Sequence, residues 1–414
     1  MCMQPAPFRV LILSVSAGAG HQRAAEAIAA HAARHFPQAE IRHLDAMQFV
    51  SAAFRKLYTD LYLKLISKAP GLWGYLYQFS HDAQQDSKTE RLRRALERLN
   101  ARPLLKAVRE YGADAVICTH FLPAEILSRL KHQRRLPCPV WIQITDFDLH
   151  RMWIQPGVAG YFAPNEEIAF RLRMNGVPAQ RIHVTGIPVM PGFVHPPTRA
   201  HSFASLPLQA ERPTLLLMSG GAGLGNAATL AEQLLQQRSD IQLIVLTGKN
   251  ALLLQQCQAL QTRYPQRLLA VSFTSQVENY MACADIVISK PGGLTSSECL
   301  AMGVPMIVHD PIPGQEERNA NYLLEQGVAL HAWDFPSLLY RLQTLLDHPD
   351  MMKRMCDKAR ALGRPAAALQ VLHLVLSHAD QKVPYESATP AAVNMPSDLC
   401  EPAGHRLCTG RNSD

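Results

Sequence analysis

Twice along this chain, short apolar runs alternate with helix-length segments, and a proline-rich break divides the two series. The first series starts with FRVLILS, which runs through the loop SAGAGH into an Ala-rich helical segment. It continues through AEIRHLDA near Asp45, ADAVICTH ending at His120 and PVWIQITD ending at Asp146. The second series reads TLLLMSGG, IQLIVLTG, RLLAVSF, ADIVISK and VPMIVHD. Short apolar runs bounded by turn residues are what a parallel sheet requires, because helices cover both of its faces. A strand–helix alternation then predicts an α/β fold. The expected architecture is two Rossmann-like domains facing a cleft, since 414 residues exceed what one hydrophobic core organises. The first domain is expected over 1–195 and the second over 214–380. Residues 196–213, PPTRAHSFASLPLQAERP, have four prolines and no sustained period, and read as the linker. Residues 381–414 have no periodic apolar face and are expected to form a disordered tail.

Composition narrows the function classes. The chain is 48% hydrophobic and 18% charged, and no run approaches the ~18 apolar residues of a membrane span. The first ten residues lack the pattern of a secretory signal, so a cytoplasmic protein is expected. Nine cysteines without C-x-x-C spacing suit reduced thiols rather than a disulfide framework or zinc site. The formal charge of +7 is compatible with an anionic membrane or an anionic substrate. The arginines are spread through helical segments and form no nucleic-acid-binding module, so no nucleic-acid partner is expected.

In an open parallel sheet, ligands bind beyond the carboxyl ends of the strands, so the loops there carry the chemistry. After ADIVISK comes Pro291-Gly292-Gly293-Leu294-Thr295, opening a helix that includes Glu298. Glycines let the backbone approach a phosphate, and a helix start offers free N–H groups to its charge. Glu298 has two readings. The Thr295-x-x-Glu298 spacing is that of a capping box; alternatively its carboxylate accepts ribose hydroxyls beside the phosphates. One strand later, VPMIVHDPIPGQEERN delivers His309 and Asp310 and then sets Gln315 and Glu316 at another helix start. An amide beside a carboxylate suits sugar hydroxyls; the alternative is two solvated polar residues in a first turn. The loop Ser219-Gly220-Gly221, continuing to Gly225, follows the first strand of the second half and supplies further backbone donors.

In the first half, Gly18-Ala-Gly20-His21 resembles the start of a dinucleotide fingerprint, with Asp45 about 25 residues on. Arg23 stands where the third glycine belongs, which argues against NAD. Thr247-Gly-Lys249-Asn250 lacks the leading glycine and Ser/Thr of a phosphate-binding lysine loop. His21, just past a Gly-rich turn, is the candidate general base, or else a helix-start histidine bonded to backbone. Asp146 and His150, in ITDFDLH, are candidates to orient that base or to meet an acceptor. Asp146-Phe147-Asp148 also has the D-x-D form of metal-dependent transferases, but helix N–H groups are available for a diphosphate, so no metal is expected.

Phe49 to Phe79 holds 8 of the chain's 28 aromatics. Phe54, Leu57, Tyr58, Leu61, Tyr62, Leu65 and Ile66 fall on one helical stripe, with Arg55, Lys56 and Lys64 off it. The stripe is either core or an interfacial helix. The following GLWGYLYQF, with Trp73, favours an acceptor-binding or interfacial role on an anionic membrane surface.

With these blocks in order, the chain resembles the monogalactosyldiacylglycerol synthase and processive diacylglycerol glucosyltransferase group of glycosyltransferase family 28. The resemblance spans roughly Phe8 to Leu330, through SAGAGHQRAAEAI, ITDFDLHRMWI, VTGIPV, SGGAGLGN, FTSQVENYMACADIVISKPGGLTSSECLAMGVP and DPIPGQEERNANYL. It implies a GT-B fold and an inverting, metal-independent transfer of a hexose from a UDP-sugar to diacylglycerol at the cytosolic membrane face. It further implies Glu298 at the ribose, Gln315 and Glu316 at the hexose, the Phe273-Thr274 backbone at the uracil and His21 at the catalytic end. Ala19 departs from the glycine of several relatives. A UDP-N-acetylglucosamine-using transferase or 2-epimerase of the same architecture, and a nucleotide-binding regulator without turnover, are the competing readings.

Overall fold

The computed structural model describes residues 7–16, 18–50, 71, 102–221, 223 and 226–380. Within them, twelve strands form two parallel six-stranded sheets. In the first, β1 (Phe8–Ser14), β2 (Ala39–Asp45), β3 (Ala115–Cys118), β4 (Val140–Gln143), β5 (Gly160–Ala163) and β6 (Ile182–Val184) lie in the order β2-β1-β3-β4-β5-β6. In the second, β7 (Thr214–Met218), β8 (Gln242–Leu246), β9 (Leu268–Val271), β10 (Ile286–Ser289), β11 (Met306–His309) and β12 (Ala329–Ala332) lie in the order β12-β11-β10-β7-β8-β9. The apolar runs become the central strands because both faces are covered: Val10 and Ile12 face one core, Leu11 and Leu13 the other. Three strands escaped the sequence pattern. β5, β6 and β12 are three or four residues long, too short to show a period.

Each sheet has one place where the winding reverses, between β1 and β3 in the first and between β7 and β10 in the second. The loops leaving those four strands therefore open a crevice at the carboxyl edge of each sheet. They carry His21, Thr119 and His120 in one domain, and Ser219–Gly221 and Gly292–Leu294 in the other.

The chain crosses between domains earlier than the proline-rich stretch. Ile187, Val189 and Phe193 already belong to the second domain's core, as does Phe147 from the first domain. The 196–213 segment packs down rather than spanning a gap: its helix Arg199–Phe203 buries Phe203, and Arg199 donates twice to Asp285. The final helix, Ala367–Asp380, falls within the range expected for the second domain, yet Ala368, Val371, Leu372 and Val375 pack against Val10, Ile12, Ile28 and Trp141 of the first. No described helix is long and apolar enough to cross a membrane. The aromatic segment with Phe54, Lys56, Tyr58, Tyr62, Lys64 and Trp73, and the 381–414 tail, lie outside the described residues.

Candidate active site

His21 is the third residue of the helix Ala19–His35, which starts straight after the β1 loop with Gly18 at φ 104. Only glycine takes that backbone at no cost, so the turn sets the histidine at the crevice. Its Nδ1 lies 2.9 Å from the Thr119 carbonyl and 2.7 Å from Thr145 Oγ1. A carbonyl can only accept, so Nδ1 carries the proton and Nε2 is left with a free lone pair. Nε2 makes no hydrogen bond among the described residues. His120 packs edge-on at 4.5 Å, and Trp153 lies at 6.2 Å. Burial lowers the His21 pKa, against the opposing pull of Asp146 and the Thr119 carbonyl. The imidazole is thus neutral near pH 7, the form a general base needs. His120, whose pKa burial drives well down, caps the helix Phe121–His132 by accepting from the Leu122 N–H.

The second domain comes to this histidine through two helix starts. In the helix Gly293–Met302, Gly292 is the cap residue and no side chain caps it. Thr295 is therefore the third helical residue, and the capping-box reading of Glu298 fails. Glu298 is instead 4% exposed and accepts no hydrogen bond among the described residues. Burial lifts its pKa to about 8, with Arg23 opposing and Glu278 adding to the shift. Gly293 meets the first domain directly: a Cβ there would overlap the Thr145 carbonyl, and Leu294 Cβ lies 3.9 Å from where one at Gly20 would be.

The helix Gln315–Glu325 makes the other junction. Gln315 Nε2 donates to Asp146 Oδ1, Asn319 Nδ2 does so at 3.5 Å, and Asn319 Oδ1 accepts the Phe147 N–H at 2.8 Å. Burial raises the Asp146 pKa, opposed by His21 and these amides. Asp148 is gripped by Arg171 at 2.7 Å and Arg318 at 2.9 Å, and Phe147 stacks on Tyr322 at 4.7 Å. The D-x-D spacing thus serves a junction between domains, with Asp148 engaged by two guanidiniums. Gln315 and Glu316 are not the solvated pair of the alternative reading. Glu316 Oε2 accepts the Ile312 N–H at 2.7 Å, and burial raises its pKa to about 7, against that N–H and Lys290.

The glycine loop after β7 completes the crevice. Gly220 has φ 71, and a Cβ on Gly221 would lie 3.0 Å from Ala19 Cβ. A Cβ on Gly248 would overlap the Gly220 carbonyl, so the 247–250 turn buttresses this loop instead of holding phosphate itself. Ser219 is buried, and its Oγ has no hydrogen-bond partner among the described residues. Phe273 is 55% exposed, with Lys249 Nζ 5.0 Å above its ring, and Thr274 Oγ1 accepts the Gln276 N–H. His150 is buried, and its Nδ1 accepts the Met152 N–H at the turn Arg151–Trp153.

His21, Asp146, Gly293, Leu294 and Gln315 are therefore brought together, with Ser219–Gly221 beside Ala19. Sequence reasoning missed Thr119, Thr145, His120 and Asn319. Their signal is positional only: each follows a strand end or lies one turn beyond a chosen residue.

Two Rossmann-like domains whose strand ends face each other across such a crevice define the GT-B fold. Solved structures of that fold align over nearly the whole chain. Acinetobacter baumannii MurG is 17% identical with TM-score 0.55, covering 90% of this chain and 100% of that one. UDP-GlcNAc 2-epimerase from Neisseria meningitidis is 14% identical with TM-score 0.55, covering 89% and 100%. Residues 21–189 match monogalactosyldiacylglycerol (MGDG) synthase, and residues 214–379 match the glycosyltransferase family 28 C-terminal domain. The chain belongs to glycosyltransferase family 28. Among its relatives, the processive diacylglycerol beta-glucosyltransferase of Bacillus subtilis is 25% identical over 92% of this chain and 98% of its own length. That of Bacillus cereus (strain AH187) is 28% identical over 89% and 93%.

Proposed function

We propose that this glycosyltransferase moves a hexose from a UDP-sugar to diacylglycerol, with inversion at C1, at a membrane surface. The observation that carries the reading is the meeting of a neutral histidine, its Nε2 lone pair free, with the N-terminus of the Gly293–Met302 helix across the crevice. Diacylglycerol as acceptor rests on the relatives' printed activity.

In this reading His21 Nε2 takes the proton of the acceptor hydroxyl as its oxygen attacks C1. The bond from C1 to the β-phosphate oxygen breaks, and UDP leaves with the bonding pair. The backbone N–H groups of Gly293, Leu294, Gly220 and Gly221 meet the diphosphate charge, so no metal is required. Glu298 accepts the ribose hydroxyls, the Phe273–Thr274 backbone meets the uracil, and Gln315 and Glu316 hold the hexose. For Gln315 this means that the sugar competes with Asp146 for its amide. A general base of this kind contributes about 10²–10⁴-fold.

The test is a donor panel of UDP-glucose, UDP-galactose, UDP-N-acetylglucosamine and UDP-glucuronic acid with diacylglycerol vesicles, scored for UDP release and glycolipid. Glycolipid with release of one UDP per sugar added is expected. Absence of glycolipid with every donor sinks the acceptor assignment. Conversion of UDP-N-acetylglucosamine without any acceptor assigns the chain to 2-epimerisation instead.

A further inference from the structure

A cation of the first domain reaches into the pocket that the proposed function gives to the nucleoside. Arg23, two residues after His21, has a side chain only 19% exposed. Its Nη2 donates to the Ser275 carbonyl at 2.7 Å, across the domain boundary, and its Nη1 donates to Glu26 at 3.2 Å. Ser275 directly follows Phe273 and Thr274 and leads into the helix Val277–Met281.

The charge of the same guanidinium opposes the rise of the Glu298 pKa, and that of Glu278 adds to it. Glu278 comes from that helix, and its Oε2 is buried with no hydrogen-bond partner among the described residues. Its other oxygen leaves no room for a Cβ on Gly192, in the turn Pro191–Phe193 near the domain crossing. Glu278 thus adds its charge to that of a buried Glu298, and Arg23, tied to Ser275 from the opposite domain, opposes it.

We propose that Arg23 is a positioning residue for the donor: on domain closure it fastens the Phe273–Ser275 segment and balances the Glu298 carboxylate, so that the nucleoside is gripped only between closed domains. The inference rests on the donor reading above. It ties binding to closure through one side chain. Nucleoside contact with Glu298 and the 273–275 backbone favours the state in which Arg23 is engaged, and that state also brings His21 to the sugar. Loss of the Arg23 contacts therefore weakens the nucleotide by up to the factor that it loosens closure.

Calorimetric titration of UDP into the full chain tests this with Arg23→Ala, Arg23→Lys and Arg23→Gln. Arg23→Ala is expected to weaken UDP about tenfold, as loss of a charge-assisted contact does, and to raise the donor KM by more than it lowers kcat. Arg23→Lys recovers part of the affinity, since it keeps the charge without the planar fork. In a Glu298→Gln background the Arg23→Ala effect shrinks, because the two side chains act as a pair. If Arg23→Ala does not fold by thermal melting, Arg23→Gln carries the same comparison. Wild-type chain that binds no UDP overturns the donor reading itself. Wild-type chain that binds UDP while folded Arg23 variants bind it equally well overturns only the role of Arg23.

Discussion

At the scale of single residues, the site works by desolvation. His21 is kept neutral by burial and oriented by a backbone carbonyl, so the proton sits on Nδ1 and the base is Nε2. His21→Ala should lower kcat by about 10²–10⁴-fold while leaving UDP titration unchanged. In the wild type, kcat at saturating donor should fall only as pH drops through a value below 6.5, since protonation removes the lone pair. That acid limb should be absent from the residual rate of the variant. Glu298 predicts a second pH dependence of opposite origin. Its pKa of about 8 in the free protein means that ribose binding, which needs the carboxylate, releases a proton. UDP affinity should therefore rise with pH up to about 8 and then level off. A flat profile in wild type, or the same slope in Glu298→Gln, removes the ribose assignment. Residue types and strand-end positions made His21, Glu298, Gln315 and Glu316 legible in sequence. Thr119 and Thr145 were not, because a carbonyl and a hydroxyl that orient an imidazole come from loops after strands, 98 and 124 positions away.

At the scale of elements, the two helix starts of the second domain meet the first domain with almost no clearance. Gly293 is glycine for this reason: its φ is ordinary, but the Thr145 carbonyl occupies the space a side chain needs. Gly293→Ala should hold the domains apart and reduce turnover by about tenfold or more, the scale of an overpacking strain of 1–3 kcal/mol. UDP binding should weaken as well, since the nucleoside is gripped between closed domains, even though the added methyl faces the other domain rather than the helix N–H groups. Comparison of kcat with the UDP dissociation constant checks this, and an unchanged UDP affinity would separate nucleotide binding from closure. The glycine run after β10 was readable from sequence as a phosphate loop. That one of its glycines serves a contact between domains was not, because the partner atom is a backbone oxygen, which leaves no trace in residue identity.

At the scale of the whole molecule, the chain folds back on itself. The last described helix leaves the second domain and buries Val371, Leu372 and Val375 against the first. A truncation removing 367–414 exposes these positions' counterparts, at about 1.5–3 kcal/mol for each large side chain. It should unfold the first domain at a markedly lower temperature in a melting experiment; an unchanged transition would show that the helix is dispensable. The crossing at Gly186 packs against Arg364 on the return crossing, so the two connections lie side by side. The α/β class, the doubling of the unit and the glycine loops were determined by sequence alone, because strand burial and turn geometry are local demands that residue types must satisfy one after another. Only the tertiary structure decided the gripping of Asp148 by Arg318, the reach of Arg23 to Ser275 and the return of the final helix. Those contacts join residues 170 or more positions apart, and such pairings are chosen by shape and charge once the two sheets face each other.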